Sequence, residues 1–340
     1  MKLRIATRAS DLALTQTRWV AARIREHAPD VEIEEITITT KGDKVLDKPL
    51  AAIGGKGLFV SEVEALVVSG QADLAVHSLK DVPGDVDLAE GMDLVCLPVR
   101  EDPHDVLLTR DGSDLDDLPA GVKVGTTSLR RIAQLSIRRP DLAYVNLRGN
   151  VGTRLRRLDE GEFHAIILAA AGLKRLGLLE GRPHRLLSTE ACLPAVGQGV
   201  LAIEARADDE RVKALLAPLE DARTRIAVEA ERKLLRVLEG SCRVPMAGHA
   251  TLSDDGSRLE LTALVGSIDG RRVLTASGER YLGSSEREAR ILSARALGED
   301  VANILLERGA REVMLEAESE VLAREKNDDL VRGRGPKWPN

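Results

Sequence analysis

The chain has 340 residues, a formal net charge of −6 and 43% apolar residues, with aromatics at only 2%. That length implies two or three domains with aliphatic cores, and the acidic balance excludes a general nucleic-acid binder. Cys96, Cys192 and Cys242 are an odd number with no CxxC pair or metal-like Cys/His spacing, which fits poorly with a disulfide framework or a metal site. No run approaches the roughly 18 apolar residues of a membrane span, and no apolar signal core opens the chain. A soluble, metal-free protein of a reducing cytoplasm is therefore expected, without membrane or nucleic-acid partners.

The first two-thirds alternates strand and helix patterns. LRIAT (3–7) predicts a strand, and LALTQTRWVAARIREH (12–27) a helix that Ser10-Asp11 would cap. VEIEEITIT (31–39) alternates with period two. A Lys- and Gly-rich loop (40–57) precedes a helix over 58–70, and ADLAVH (72–77) and MDLVCLPV (92–99) read as buried strands. A second unit follows EDPHD (101–105). DVLLT (105–109), VKVGT (122–126) and AYVNL (143–147) predict strands, and SLRRIAQLSIRR (128–139) and VGTRLRRLDEG (151–161) predict helices. HAIILAAAG (164–172) is a strand running into a helix, LLSTEACLPAVGQG (186–199) a loop, and VLAIEA (200–205) a strand that could return to the first sheet. This rhythm predicts mostly parallel sheets covered on both faces.

Residues 220–310 change character. A long amphipathic helix (220–240) is followed by three period-two segments, GHATLS, RLELTALVG and RRVLTASGE, and a helix over 284–309. That is an α+β unit with an antiparallel sheet. The expected division is 1–99 with 200–218, then 100–199, then 219–315, with 316–340 lacking order.

Several constellations carry chemistry. AVHSLKDVPGDV (75–86) places His77, Ser78, Lys80 and Asp81 where a strand ends. Read alone, it is ordinary turn chemistry. Residues 123–157 hold nine cations, among them Arg130, Arg131, Arg148 and Arg154, against one acid, Asp141. Those four follow strand ends, beside GTTS and RGNVGT, where helix N-termini meet anions. Small carboxylates or phosphates suit them better than nucleic acid, because only Tyr144 could stack there. ATRASDLAL (6–14) repeats the arrangement with Arg8 and Ser10, although Ser10 also reads as a plain N-cap. GGKGLF (54–59) lacks the end of a P-loop; it is a lid carrying Lys56 and Phe59, or a plain loop. In LEGSCRVP (238–245) Cys242 lies between Ser241 and Arg243. Arg243 favours the thiolate and the preceding helix C-terminus opposes it, which suits a thiol that reacts once.

RIATRAS, GGKGLF, AVHSLKDVP, GTTSLRR, LRGNVGTRL, AIILAAAGLKRLG, LPAVGQG and LEGSCRVP occur here in one order. The ordered set, spanning residue 3 to about 315, resembles the hydroxymethylbilane synthase (porphobilinogen deaminase) family. The resemblance implies an α/β fold with two domains of the type II periplasmic-binding-protein kind, plus a C-terminal α+β domain with a three-stranded antiparallel sheet. It implies a transferase of tetrapyrrole (porphyrin, haem) biosynthesis. Such an enzyme condenses four porphobilinogen molecules onto a covalent dipyrromethane primer, releases ammonia, and hydrolyses the product to hydroxymethylbilane. Cys242 matches the thioether attachment position, and Asp81 matches the catalytic acid. Arg8, Ser10, Lys80, Thr127, Ser128, Arg130, Arg131, Arg148 and Arg154 match positions that hold acetate and propionate groups. Two departures stand out: Asp11 replaces a common Pro, and Ser241 a common Gly. A monomer is expected. The rival reading is a non-enzymatic two-lobed binder of a small dicarboxylate; a Cys-nucleophile acyltransferase lacks a Cys–His pairing, with His249 seven residues from Cys242.

Overall fold

A computed structural model describes residues 1–40, 60–84, 88–239, 244–283 and 285–332, with side chains to 323. Lys56, Phe59 and Cys242 lie outside the described residues.

The first sheet contains β1 (Lys2–Arg8), β2 (Glu32–Ile38), β3 (Leu74–Ser78), β4 (Met92–Cys96) and β10 (Leu201–Arg206), in the order β2-β1-β3-β10-β4. The second contains β5 (Asp105–Thr109), β6 (Lys123–Gly125), β7 (Ala143–Val145), β8 (Ala165–Ala169) and β9 (His184–Leu187), in the order β7-β6-β8-β5-β9. The two orders are equivalent, and each lobe contributes one strand reached from the other. β5 enters lobe two directly from β4, and β10 returns to lobe one. The lobes are thus of the periplasmic-binding-protein type, joined by two crossings.

The sheets are mostly parallel, as expected, with one reversed strand in each. β1 pairs in parallel with β2 and β3, and β6 with β7 and β8. β10 and β5 run antiparallel to both of their neighbours. A strand arriving through a crossing has no βαβ helix to force it parallel. β9 falls partly in the stretch read as a loop. It is an edge strand with His184, Arg185 and Leu186 accessible, so it shows no core-facing alternation.

The helices flanking lobe one are α1 (Asp11–His27) and α2 (Ser61–Val68). α3 (Leu129–Arg138), α4 (Val151–Asp159) and α5 (Ala170–Arg175) belong to lobe two. α1 buries Ala13, Thr17, Val20, Ala21 and Ile24, the stripe that a 3.6-residue period puts on one face. α6 (Glu210–Leu216) follows β10 and lays Val212 and Leu216 into the first core.

The third unit is β11 (Met246–Leu252), β12 (Arg258–Gly266) and β13 (Val273–Tyr281), antiparallel throughout, with α7 (Ala222–Val237) and α8 (Arg287–Glu307). Ile226, Ala230 and Leu234 of α7 meet Leu259, Leu261, Ala263 and Val265 of β12 and Leu297 and Val301 of α8 in one core. α7 and α8 cross at Gly298, where an added Cβ would sit 2.3 Å from the Ala230 carbonyl oxygen.

The expectation of disorder from residue 316 needs correction as far as residue 332; residues 333–340 lie outside the described residues. α9 (Ala310–Arg332) continues the chain as helix. Ala310, Val313, Met314, Ala317 and Val321 are buried in the third core. Their 3–4-residue spacing supplies an apolar face, obscured in the sequence by the Glu and Arg between them.

Candidate active site

Lobe one supplies two chain segments. β1 ends at Arg8, and Ser10 caps α1 by accepting a hydrogen bond from the Ala13 amide at 3.4 Å. β3 runs into a 3-10 turn, Leu79–Asp81. The turn is pinned by its apolar members: Leu79 and Val82 are buried, and the Leu79 amide donates to the Val200 carbonyl at 2.9 Å. Burying those two leaves Lys80 and Asp81 accessible between them. Arg8, Ser10, Gln16, His77, Ser78 and Asp81 line one cavity. Gln16 Nε2 donates to Ser78 Oγ at 2.9 Å, which brings Gln16, not singled out in the sequence, to the site beside Ser78. The available signal was Gln16 itself, a buried amide on the apolar face of α1.

Behind this wall lies a buried polar cluster. His77 Nε2 is 2.9 Å from Glu204 Oε2, across the antiparallel β3–β10 pair. Burial raises the Glu64 carboxyl above its usual range, with neighbouring Glu204 adding to the shift.

Lobe two supplies the arginines. Ser128 caps α3, accepting from the Arg131 amide at 3.4 Å, and its own amide donates to Thr126 Oγ1 at 3.2 Å. Thr127 and Ser128 are half-buried at this helix start. Asn150 caps α4, and Arg154 Nε donates to the Gly149 carbonyl at 2.7 Å, which ties Arg154 to the loop carrying Arg148.

Arg130 and Arg131 are both buried and share one counter-charge, Asp105. Arg130 is buried, with Nη2 2.7 Å from Asp105 Oδ2 and Nη1 donating to the Leu193 carbonyl at 2.5 Å. Both of its terminal nitrogens thus serve the protein interior. Arg131 donates from Nη2 to Asp105 Oδ1 at 2.7 Å and from Nη1 to the Ile167 carbonyl at 2.8 Å, which leaves its buried Nε without a partner. Arg148 Nη1 is likewise buried and unpartnered.

The electrostatics show that the two lobes face each other here. The Lys80 ammonium sits in a recess that protein crowds on several sides, yet it remains open to a ligand. Desolvation there lowers its pKa to about 8; Asp81 opposes the shift, and Arg131 and Arg130 add to it. Arg154 is pushed down to about 10 by burial first, then by Arg131 and Arg148, with Asp81 opposing. Burial alone lowers Arg148. Neighbouring cations that lower Lys80 and Arg154 beside the accessible Asp81 carboxylate form a site that an added polyanion would relieve. Guanidinium and ammonium donors with spare N–H groups suit carboxylates, so this donor set fits the acetate and propionate arms of a dipyrromethane.

Cys96 and Cys192 are buried, and burial pushes both thiols up to about 12, unsuited to nucleophilic duty. Among the described residues no group of three or more His, Cys, Asp or Glu side chains could hold a metal ion, and no helix is long and apolar enough to cross a membrane.

Known proteins resemble this chain over nearly its whole length. The family model "Porphobilinogen deaminase, dipyromethane cofactor binding domain" matches residues 3–214, and "Porphobilinogen deaminase, C-terminal domain" matches residues 225–307. The porphobilinogen deaminase of Brevibacillus brevis is 48% identical over 308 residues, covering 90% of this chain and 98% of that protein. That of Syntrophobacter fumaroxidans is 49% identical over 314 residues, covering 92% and 97%. Similar solved structures include the extracellular-binding protein ytmK of Bacillus subtilis, with a TM-score of 0.40 and 7% identity over 64% of this chain and 90% of that one. The ordered motifs, the paired lobes with their third unit, and relatives matched almost end to end agree: the chain belongs to the porphobilinogen deaminase family.

Proposed function

We propose that this chain joins four porphobilinogen molecules head to tail, releases ammonia at each addition, and frees hydroxymethylbilane by hydrolysis. The observation that carries this reading is the convergence of Lys80 and Asp81 from one lobe with Arg131, Arg148 and Arg154 from the other. Cys242 would hold the dipyrromethane through a thioether, and the bound group would supply the first nucleophilic pyrrole carbon.

The chain's own residues do the rest. Asp81, accessible on a turn pinned from below, accepts a hydrogen bond from the pyrrole N–H of porphobilinogen. As the aminomethyl C–N bond breaks and ammonia leaves, positive charge develops on that ring, and the fixed carboxylate stabilises it. The same carboxylate takes up the proton released when the rings join. Lys80, Arg131, Arg148 and Arg154 hold substrate carboxylates, with Arg8, Ser10, Thr127 and Ser128 completing the donor set. Arg130 has a separate task, holding Asp105 and thereby Arg131. The protein works as a cytoplasmic monomer.

A two-lobed dicarboxylate binder would share the cationic cleft but has no use for the cysteine-bearing third unit. The test is Asp81→Asn. Turnover falls by about 10²–10⁴-fold, the range for losing a positioned acid–base group, while the covalent pyrrole stays attached. A variant retaining the wild-type rate refutes the assignment.

A further inference from the structure

The turn that presents Lys80 and Asp81 is not held by lobe one alone. Its apolar flanks, Leu79 and Val82, share a buried cluster with Val228 of α7, a helix of the third unit. Four residues along that helix, Arg232 Nη2 donates to the Pro83 carbonyl at 3.1 Å. Three residues further, Leu235 presses on Gly84, where an added Cβ would sit 2.2 Å from Leu235 Cδ2. Val228, Arg232 and Leu235 follow the i, i+4, i+7 spacing of one helix face, so a single stripe of α7 grips residues 79–84.

The same helix leads towards the attachment position. Among the described residues it ends at Val237, and Glu239, with φ of 53°, turns the chain out of the helix three residues before Cys242. A second face of α7 holds the crossings between the lobes. Glu231 accepts from the Gly197 amide at 2.7 Å and from both terminal nitrogens of Arg100 at 2.8 Å. Gly197 in turn lies against Leu79, because a Cβ there would come within 2.7 Å of Leu79 Cγ. The acid's turn is therefore braced on two sides by elements that α7 fixes.

We propose that Arg232 is a positioning residue: with Leu235 it fixes the Asp81 turn against α7, so that the helix sets where the acid stands. This rests on the function proposed above. A helix suits the task because its backbone hydrogen bonds make its length nearly invariant. An error of about 1 Å in the placement of a reacting group costs on the order of 10²-fold in rate. Simple domain adhesion predicts something different, a loss spread over stability and substrate affinity.

The experiment compares Arg232→Gln, Arg232→Lys, Gly84→Ala and the double variant Gly84→Ala/Leu235→Ala. Each is assayed for kcat, KM, the covalent adduct by intact mass, and amide hydrogen exchange of peptide 78–84. For Arg232→Gln we expect kcat down about 10–100-fold, KM within about twofold of wild type, and the adduct retained. Exchange rises across 78–84 and stays unchanged in α1. Arg232→Lys, which can still donate to the Pro83 carbonyl, recovers part of the rate. Gly84→Ala is slow, and removing the Leu235 side chain in the same chain restores kcat. The proposal is overturned by a wild-type kcat in Arg232→Gln, by a loss confined to KM, by loss of the adduct, or by a double variant as slow as Gly84→Ala. Unchanged exchange at 78–84 overturns it as well. A fully active Asp81→Asn protein would instead remove the functional reading, while the exchange measurement would still decide whether α7 holds the turn.

Discussion

Asp105→Asn tests whether one buried carboxylate organises the arginine wall. Asp105 is fully buried at the start of β5. Its Oδ1 accepts from Arg131 Nη2 at 2.7 Å and Gln198 Nε2 at 2.9 Å, and its Oδ2 lies 2.7 Å from Arg130 Nη2 and 3.2 Å from Cys192 Sγ. Burial by itself would raise the carboxyl, but the two guanidiniums and these hydrogen bonds outweigh it and hold it well below the usual range. An amide at this position leaves two buried cations without a counter-charge. Breaking a buried pair in this way costs about 3–5 kcal/mol. At roughly 2–4 °C per kcal/mol for a unit of 150–250 residues, the melting temperature falls by about 6–20 °C. The pH dependence has a definite sign. The folded carboxyl titrates below the unfolded one, whose pKa is about 3.9. The stabilisation is therefore whole above about pH 5 and fades as pH drops through the unfolded value towards the folded one. Thermal melts of both proteins at pH 7, 5 and 3.5 should show a gap that is widest at neutral pH and narrows in acid. A variant melting within about 1 °C of wild type at pH 7 refutes the reasoning.

Two further perturbations test other links. Because Lys80 is pushed down to about 8 in the ligand-free cleft, deprotonation removes a carboxylate anchor. KM for porphobilinogen should rise on the alkaline side of that value, and Lys80→Arg should move the rise to higher pH, since guanidinium keeps its charge. Identical KM profiles for the two proteins would sink that assignment. Ending the chain after Gly309 removes Val313, Met314 and Val321 from the third core. At about 1.5–3 kcal/mol for each buried apolar side chain, the truncated protein should melt several degrees lower, and an unchanged melting temperature contradicts the packing role of α9.

Much of the frame can be read from the chain because local signals agree with it. DVLLT (105–109) and RLELTALVG (258–266) became strands with the bounds that their patterns imply. Ser10 and Ser128 both became N-caps, as hydroxyls before apolar-periodic runs should. The exchanged strands β5 and β10 were not legible as antiparallel, because an apolar run carries no direction. Arg130 illustrates a deeper limit. Like Arg131 it follows a strand end, yet both side chains turn inward because Asp105, 25 residues before Arg130, waits there. Asp105 in turn reads as the polar start of a strand, and only the fold shows it as the counter-charge of two arginines. Gln16 escaped notice for a related reason: its significance comes from its pairing with Ser78 across 62 residues.

The account's central claim is a permanently tethered pyrrole primer set opposite a fixed carboxylate. Intact mass spectrometry of the denatured protein, wild type beside Cys242→Ser, tests it most directly. The wild type should carry the extra mass of two linked pyrroles through denaturation, and the variant should carry none. Wild-type protein without that mass that still makes the linear tetrapyrrole, or a Cys242→Ser protein that retains the adduct, would contradict it.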